Sequence, residues 1–198
     1  MRPVSHVVGR GLPLPRADVD TDQIIPSSYL KRVDSSGYGE ALFAAWRRDP
    51  GFVMNDPRYR GATILVAGAN FGCGSSREHA VWALRDAGFK AVVSSRFADI
   101  FRQNCVRNGV VPVALQTRDL ERLLRAVAEE PRVSISIDVA ARTLLAPGLE
   151  ATFELEDHAR RQLVEGLDEI GLTLAHAAAI EGHERSRAAW LPRVSGAA

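Results

Sequence analysis

Hydrophobic residues in the first sixty positions form short stretches that are separated by polar loops. The pattern favours a short strand at residues 6–8, followed by a loop rich in proline and aspartate as far as residue 26. Three apolar side chains then recur at helical spacing and predict an amphipathic helix between residues 37 and 49: Leu42, Phe43 and Trp46. The first quarter of the chain is therefore expected to contain one strand, one helix and long loops.

The centre of the chain alternates between strand-like and helix-like segments. Apolar runs at residues 63–67, 90–94 and 110–115 suit buried strands. Two sets of apolar residues between them have helical spacing, and a glycine follows each: Ala80, Val81, Leu84 and Ala87 before Gly88, and Phe97, Ile100, Phe101 and Cys105 before Gly109. This order of elements predicts an α/β fold built on a mixed or parallel sheet.

The last third of the chain is expected to return to strands and to end in helices. A helix is predicted at residues 119–128 and strands near 133–137, 143–145 and 151–155. The tail from residue 159 to 190 is helical in pattern, with breaks near Gly166 and Gly182. We therefore predict one domain over residues 1–157 and a helical extension over 158–198 that packs on the same domain.

Composition excludes several classes of function. The 198 residues carry a formal net charge of +1, so no overall charge attracts nucleic acid or an anionic membrane. The apolar runs are far too short to span a bilayer. Two cysteines, Cys73 and Cys105, are too few for a disulfide framework or for the thiolates of an iron–sulfur cluster. A cytoplasmic protein with reduced thiols fits these observations best.

A glycine-rich loop at residues 72–79 carries the clearest chemistry, since it reads Gly-Cys-Gly-Ser-Ser-Arg-Glu-His. Its glycines let the backbone approach a ligand closely. The loop leads into a predicted helix, whose N-terminus favours anions and would stabilise the alkoxide form of Ser75. Arg77 can hold a carboxylate by two parallel hydrogen bonds. This combination suits removal of a proton next to a carboxylate, with Ser75 as the base and Arg77 as the clamp.

The same loop also has a purely structural interpretation, which the pattern alone leaves open. Ser75 and Glu78 have the S-x-x-E spacing of a capping box, so the serine could simply begin a helix. Neither a phosphate-binding P-loop nor a dinucleotide fingerprint is matched. The aspartates at residues 18–22 resemble the start of a calcium loop but lack its glycine and glutamate, so a turn that lines a polar site is expected instead.

Three segments resemble the aconitase superfamily. They are Asp-Thr-Asp-Gln-Ile-Ile-Pro at 20–26, the loop at 70–80, and Ser-Arg-Phe-Ala-Asp-Ile-Phe at 95–101. The tail at 163–174 is similar to that of the small subunits of 3-isopropylmalate dehydratase. The resemblance implies a β/β/α swivelling domain that closes over a large subunit. In this family a [4Fe–4S] cluster belongs to the large subunit, and no metal ligand is expected on this chain.

The resemblance also implies a reaction and roles for individual residues. The reaction is isomerisation of 2-isopropylmalate to 3-isopropylmalate through 2-isopropylmaleate, a step of leucine synthesis. Ser75 matches the base, Arg77 matches the substrate-binding arginine, and Ser76 is expected to donate a hydrogen bond to substrate. The aspartate motif supplies further substrate-binding candidates: Asp20, Thr21 and Asp22. Because the large subunit holds the cluster, neither chain is expected to be active alone.

Substrate choice is assigned, by the same resemblance, to the loop after the aspartate motif. Leu30 can contact an isopropyl group, and either Lys31 or Arg32 can contact a carboxylate. An exposed basic turn is an equally good interpretation of Lys31 and Arg32. We expect residues 27–36 to be mobile in the isolated chain, because this polar loop awaits a second surface.

Three other functions compete with this one. A small subunit that acts on homoaconitate or a methylmalate-type substrate would share the motifs but differ around Leu30. A regulatory or RNA-binding derivative of the fold is disfavoured by the charge of +1 and by the lack of a basic stripe. A stand-alone anion-binding protein would use the same loop without a partner.

Overall fold

A computed structural model of the protein describes residues 1–31, 36–188 and 190–191, with Lys31 described by its backbone alone. Its centre is a seven-stranded mixed sheet in the order β4-β3-β2-β1-β5-β6-β7. The strands are β1 (His6–Leu14), β2 (Ile64–Ala67), β3 (Ala91–Ser94), β4 (Val111–Ala114), β5 (Ser134–Asp138), β6 (Thr143–Ala146) and β7 (Leu149–Thr152). Neighbours from β1 to β4 are parallel, whereas the pairs β1–β5, β5–β6 and β6–β7 are antiparallel. The predicted α/β fold is confirmed.

Seven α-helices accompany the sheet in the described residues. They are α1 (Thr21–Ile24), α2 (Glu78–Asp86), α3 (Asp99–Arg107), α4 (Thr117–Glu129), α5 (Asp157–Glu165), α6 (Glu169–Leu174) and α7 (Ala177–Ser186). Every residue of β2 and β3 is buried, as expected for parallel strands in an α/β fold. Within the described part of the chain, no helix is long and apolar enough to cross a membrane.

Strand β1 is longer than the predicted residues 6–8 because it serves both halves of the sheet. Its first half pairs with β5, and its second half pairs with β2. The glycines of β1 interrupt its apolar pattern, so the pattern did not predict the full strand. Glycine is required at these positions because other side chains pack closely against the backbone. A Cβ atom on Gly9 would lie 1.9 Å from Oγ1 of Thr63, and one on Gly11 would lie 2.8 Å from a methyl of Val127.

The amphipathic helix predicted at 37–49 is wrong. Two short 3₁₀ helices, Gly39–Ala41 and Trp46–Arg48, occupy this segment. Phe43 lies between them with a φ of +49°, which no α-helix accommodates. The apolar contacts nevertheless form, since Phe43 is fully buried and stacks on Trp46 with ring centroids 5.2 Å apart.

The helical tail is confirmed, but only one of its two predicted breaks is correct. Gly166 ends α5 in the left-handed conformation, with a φ of +70°. Gly182 lies within α7, and the second break falls at residues 175–176 instead. Leu163 of α5 is fully buried, whereas α6 and α7 bury no residue. The division of the chain at residue 157 stays a prediction.

The topology gathers three loops at one edge of the sheet. Strands β1, β2 and β3 are parallel neighbours, so their carboxyl ends lie side by side. The segments that follow them are 15–20, 68–77 and 95–98. Ligand sites of α/β folds form at such carboxyl edges.

Candidate active site

The first loop ends in α1, a four-residue helix with a complete capping box. The carboxylate of Asp20 accepts a hydrogen bond from the backbone N–H of Gln23 at 2.7 Å, and the Gln23 side chain accepts one from the N–H of Asp20 at 3.0 Å. The capping box that the sequence suggested at Ser75 and Glu78 does not form, because the helix there has Arg77 as its N-cap residue. Asp20 is thereby engaged in holding the helix that carries Thr21 and Asp22.

Hydrogen bonds fasten the glycine loop to this first loop. The N–H of Gly72 donates to the carbonyl of Val19 at 2.8 Å, and the N–H of Thr21 donates to the carbonyl of Cys73 at 3.0 Å. The hydroxyl of Thr21 donates to the carbonyl of Ser75 at 2.7 Å. Thr21 is only 2% exposed. Its hydroxyl therefore positions the backbone that bears Ser75.

The third loop and the start of α3 support the glycine loop from the other side. Phe71 donates its N–H to the carbonyl of Arg96 and accepts from the N–H of Ala98, at 3.0 and 3.1 Å. Gly72 has a φ of +78°, and a Cβ atom there would lie 2.1 Å from Cγ of Phe101. Only glycine allows the loop to lie this close to α3.

Ser75 and Ser76 stand exposed on the glycine loop, ahead of the helix. Helix α2 begins at Glu78, and Arg77 is its N-cap residue without any side-chain cap hydrogen bond. The structural interpretation of Ser75 as a helix cap is therefore wrong. Its side chain is not used to begin α2 and is accessible from solvent.

Arg77 turns towards the first loop and forms an ion pair with Asp22. The arginine side chain is 21% exposed, whereas that of Asp22 is 56% exposed. Because water screens such a pair, its net stabilisation is small, about 0–1 kcal/mol. Another carboxylate that approaches from solvent can therefore replace Asp22 on the guanidinium.

A cavity of about 220 Å³ opens beside this ion pair. Thr21, Ser76 and Arg77 line it from α1 and the glycine loop, and the third loop and the start of α3 contribute the apolar side chains of Ala98, Ile100 and Phe101 and the carboxylate of Asp99. A larger groove of about 400 Å³ lies between α3 and α5. That groove contains neither the serines nor Arg77, and its arginines 102 and 107 already pair with Glu156 and Glu169 at 3.4 and 3.5 Å. Ser76 and Arg77 line the smaller cavity, although Ser75 does not, and this cavity is the candidate active site.

The predicted specificity loop lies only partly in the described residues. Residues 27–31 form a 3₁₀ helix, and Leu30 is half-buried against the hydrophobic core. Leu30 is not among the residues that line the cavity. The side chain of Lys31 and all of Arg32 lie outside the described residues, as does 32–35 of the segment predicted to be mobile.

Ile100 is a site residue that the sequence did not reveal. Its helical spacing with Phe97, Phe101 and Cys105 predicted a buried side chain, yet Ile100 is 52% exposed and lines the cavity. Ile100 lies in the first turn of α3. Side chains of a helix tilt towards its N-terminus, so the side chain of Ile100 extends beyond the part of α3 that packs against the rest of the protein. This tilt is the signal that could have identified it.

The two cysteines lie in different parts of the fold, Cys73 in the glycine loop and Cys105 buried in α3. Partial burial raises the pKa of the Cys73 thiol, and the carboxylates of Asp20 and Asp18 raise it further. Complete burial raises the pKa of the Cys105 thiol. No group of three or more metal-ligating side chains occurs among the described residues. With two cysteines in the whole sequence, this chain does not fit an iron–sulfur cluster.

Comparisons with known proteins agree with this geometry. Residues 1–118 match the family model of the aconitase C-terminal domain. Residues 169–197 match the model of the C-terminal domain of 3-isopropylmalate dehydratase small subunits. The first match includes all three loops of the candidate site. The second covers α6, α7 and the end of the chain.

Individual relatives cover almost the whole chain. A 3-isopropylmalate dehydratase small subunit of Rubrobacter xylanophilus is 54% identical over 98% of this chain and 100% of the relative. One from Frankia alni is 56% identical over 93% of this chain and 94% of the relative. The crystal structure of a 3-isopropylmalate dehydratase from Methanocaldococcus jannaschii is 28% identical, with a TM-score of 0.65, over 90% of this chain and 99% of that one.

Proposed function

Because this chain belongs to the family of 3-isopropylmalate dehydratase small subunits, we propose that it supplies the base and the carboxylate clamp of a shared active site. The reaction is the isomerisation of 2-isopropylmalate to 3-isopropylmalate through 2-isopropylmaleate, in leucine synthesis. The partner is the large subunit, which carries a [4Fe–4S] cluster. The observation that carries the proposal is the cavity in which Ser76 and Arg77 face the start of α3.

Arg77 binds a carboxylate of the substrate. In the chain alone its guanidinium pairs with Asp22, which is mostly exposed and can swing away into water. A guanidinium forms two parallel hydrogen bonds to a carboxylate, so the exchange fixes the orientation of the substrate as well as its position. Asp22, which the sequence suggested as a substrate-binding residue, would thus act as a positioning residue that holds Arg77 until the substrate carboxylate replaces it.

Ser75 transfers the proton. As an alkoxide, its Oγ removes a proton from the carbon next to the carboxylate that Arg77 holds, and the electron pair of that C–H bond forms the double bond as hydroxide leaves the neighbouring carbon. In the rehydration, Ser75 returns a proton to the carbon that carried the hydroxyl, and hydroxide adds to the other. When bound to the large subunit, the cluster supplies a Lewis acid for the leaving hydroxyl.

The neighbouring groups support these roles. Arg77 is two residues from Ser75 and precedes the N-terminus of α2, and both positive features favour an anion. Thr21 holds the Ser75 backbone through its 2.7 Å hydrogen bond, and Asp20 caps the helix that carries Thr21. Ser76 donates a hydrogen bond to the substrate. Leu30 and Lys31 remain the proposed contacts of the adjacent specificity loop.

A second chain is required because this half of the site is open. Ser75 and Ser76 are exposed, and the cavity holds only about 220 Å³. A serine alkoxide in contact with bulk water would be protonated, so a second surface must exclude water during the reaction. The cytoplasm is the proposed compartment, because reducing conditions there preserve thiols such as Cys73.

The test is an anaerobic assay of this chain with and without its cluster-loaded large subunit. We expect turnover of 2-isopropylmalate only with both chains. Ser75→Ala should lower kcat by about 10²–10⁴-fold, the usual contribution of a general base. Ser134→Ala is the matched control, since Ser134 is an exposed serine of β5 on the other half of the sheet.

Three outcomes would overturn parts of the proposal. Full activity of Ser75→Ala would exclude Ser75 as the base. A wild-type complex that acts on homocitrate or citrate but not on isopropylmalate would keep the mechanism and change the substrate. A complex that forms and turns over none of these acids would favour a regulatory module.

A further inference from the structure

We propose that Ile100 is a specificity-determining residue that contacts the isopropyl group of the substrate. This inference rests on the proposed function, because the apolar group to be recognised comes from that reaction. It adds a residue that lies outside the glycine loop and outside the predicted specificity loop, at the start of α3.

The lining of the cavity comes from two parts of the fold with different chemistry. Ser76 and Arg77 of the glycine loop provide groups that would bind a carboxylate, whereas the third loop and the start of α3 provide the apolar side chains of Ala98, Ile100 and Phe101 together with Asp99. An alkyl-substituted malate has the same division, with carboxylates at one part of the molecule and a branched alkyl group at another. Only one orientation of such a substrate matches polar with polar and apolar with apolar groups.

Among the three apolar residues, Ile100 has the most surface to offer a ligand. Phe101 is 3% exposed and packs against Gly72 and Phe71, so its surface is already used. Ile100, in contrast, is 52% exposed. Contact with an alkyl group would remove this surface from water, which is favourable in proportion to the apolar area covered.

The charged side chains that line the cavity favour the same orientation of the substrate. Asp99 lines the cavity next to Ile100 and is exposed. Arg77 is the one cation among the described residues that line the cavity. The second carboxylate of a malate would be repelled by Asp99, whereas an uncharged isopropyl group would not. The first turn of α3 therefore favours the alkyl group of the substrate over its carboxylates.

Leu30, the residue assigned to this contact from the sequence, is in a different environment. It is half-buried against the hydrophobic core and does not line the cavity. Ile100 can thus contact the isopropyl group in the described arrangement without any rearrangement of the segment around Leu30.

The test uses the complex of the full chain with its cluster-loaded large subunit. For wild type and Ile100→Ala, we would measure KM with isopropylmalate as substrate and the inhibition constant of the analogue 2-methylmalate, which has a methyl in place of the isopropyl group. We expect the KM to rise about tenfold, in the range that one or more lost methylene contacts cause. The inhibition constant of the methyl analogue should change less than about twofold, and kcat should stay within about threefold, since the contact is equal in ground and transition states.

Two further variants separate this role from a structural one. Ile100→Val removes one methyl and should give a KM between those of wild type and Ile100→Ala. Ile170→Ala changes an isoleucine that is 70% exposed on α6, away from the cavity, and should leave every constant unchanged. The affinity of each variant for the large subunit is measured in parallel and should equal that of wild type.

The outcomes that overturn the inference differ from those that overturn the proposed function. An unchanged KM for Ile100→Ala, or an equal weakening of both malates, would show that Ile100 does not recognise the alkyl group. Weaker binding of the large subunit would make Ile100 an interface residue instead. A wild-type complex without activity on isopropylmalate would reject the proposed function itself, before any variant is compared.

Discussion

At Gly72, both the backbone conformation and the packing require a residue without a side chain. Its φ of +78° lies in the left-handed region, and Phe101 of α3 occupies the space where a side chain would project. The candidate site is lined by residues of both the glycine loop and α3. The distance between the loop and this helix is therefore determined by the absence of a side chain at Gly72.

We predict that Gly72→Ala lowers the free energy of unfolding by about 2–5 kcal/mol. The left-handed conformation costs an alanine about 1–2 kcal/mol, and overpacking against Phe101 adds about 1–3 kcal/mol. Urea denaturation followed by circular dichroism measures the difference. Substrate turnover should also fall, because the loop with Ser75 must move away from α3.

Gly148→Ala is the matched control for this prediction. Gly148 has a φ of +72°, but a Cβ atom there would have nothing within 4 Å. Its substitution should cost only the conformational part, about 1–2 kcal/mol. Equal losses for the two variants would show that the contact with Phe101 adds nothing.

Among the elements of the site, helix α1 depends most on contacts with other residues for its stability. Four residues are far too few for a helix to be stable in isolation, so its ends must be held by other groups. The capping box of Asp20 and Gln23 holds the N-terminus, and the hydrogen bonds of Thr21 to the glycine loop hold the helix in place. The element exists because its neighbours stabilise it.

We predict that Asp20→Ala lowers the free energy of unfolding by about 1 kcal/mol, the usual value of an N-cap side chain. Asp20→Asn retains the acceptor oxygen and should cost much less. Both are measured by urea denaturation. An equal loss in the two variants would mean that the charge of Asp20, and not its cap hydrogen bond, stabilises the loop.

The segment at 37–49 also owes its conformation to a neighbouring element. Its apolar spacing suggested a helix, and the apolar residues are indeed buried, but the left-handed Phe43 divides the segment into two 3₁₀ turns. The N–H of Phe43 donates to the carbonyl of Ile24 at 2.8 Å, at the end of α1. A tertiary hydrogen bond thus replaced the helical one, which no local pattern could predict.

At the scale of the whole molecule, the tail divides into a packed and an unpacked part. Helix α5 buries Leu163 completely, and the Leu163 carbonyl accepts a hydrogen bond from the N–H of Val4 at 2.7 Å. Helices α6 and α7 bury no residue, and the pair of Arg107 with Glu169 at 3.5 Å is exposed. The sheet therefore depends on α5 far more than on the two helices after it.

We predict that a chain ending at residue 168 unfolds with a free energy within about 1 kcal/mol of the full chain, since exposed ion pairs contribute about 0–1 kcal/mol. A chain ending at residue 156 should lose at least about 2–3 kcal/mol, because it exposes the surface that Leu163 covers. Urea denaturation of the three chains provides the comparison. Equal destabilisation by both truncations would show that α6 and α7 support the core.

The sequence by itself determined most of the elements, the fold class and the chemistry of the loop. Buried strands such as β2 and β3 are uniformly apolar and helices such as α4 are strongly amphipathic, so hydrophobic spacing alone identifies them. The glycine loop, the aspartate motif and the tail identified the family, which the comparisons confirm. Each of these features depends on residues that are close together in the chain, so it can be recognised directly in the sequence.

Only the tertiary structure decided what each site residue contacts. Ser75 does not cap a helix because α2 begins at Glu78 with Arg77 as its N-cap residue, and Arg77 pairs with Asp22 across 55 positions of sequence. Ile100 is exposed because it lies in the first turn of α3, beyond the packed part of that helix. Such contacts depend on the order of strands in the sheet, which joins residues that are far apart in the chain.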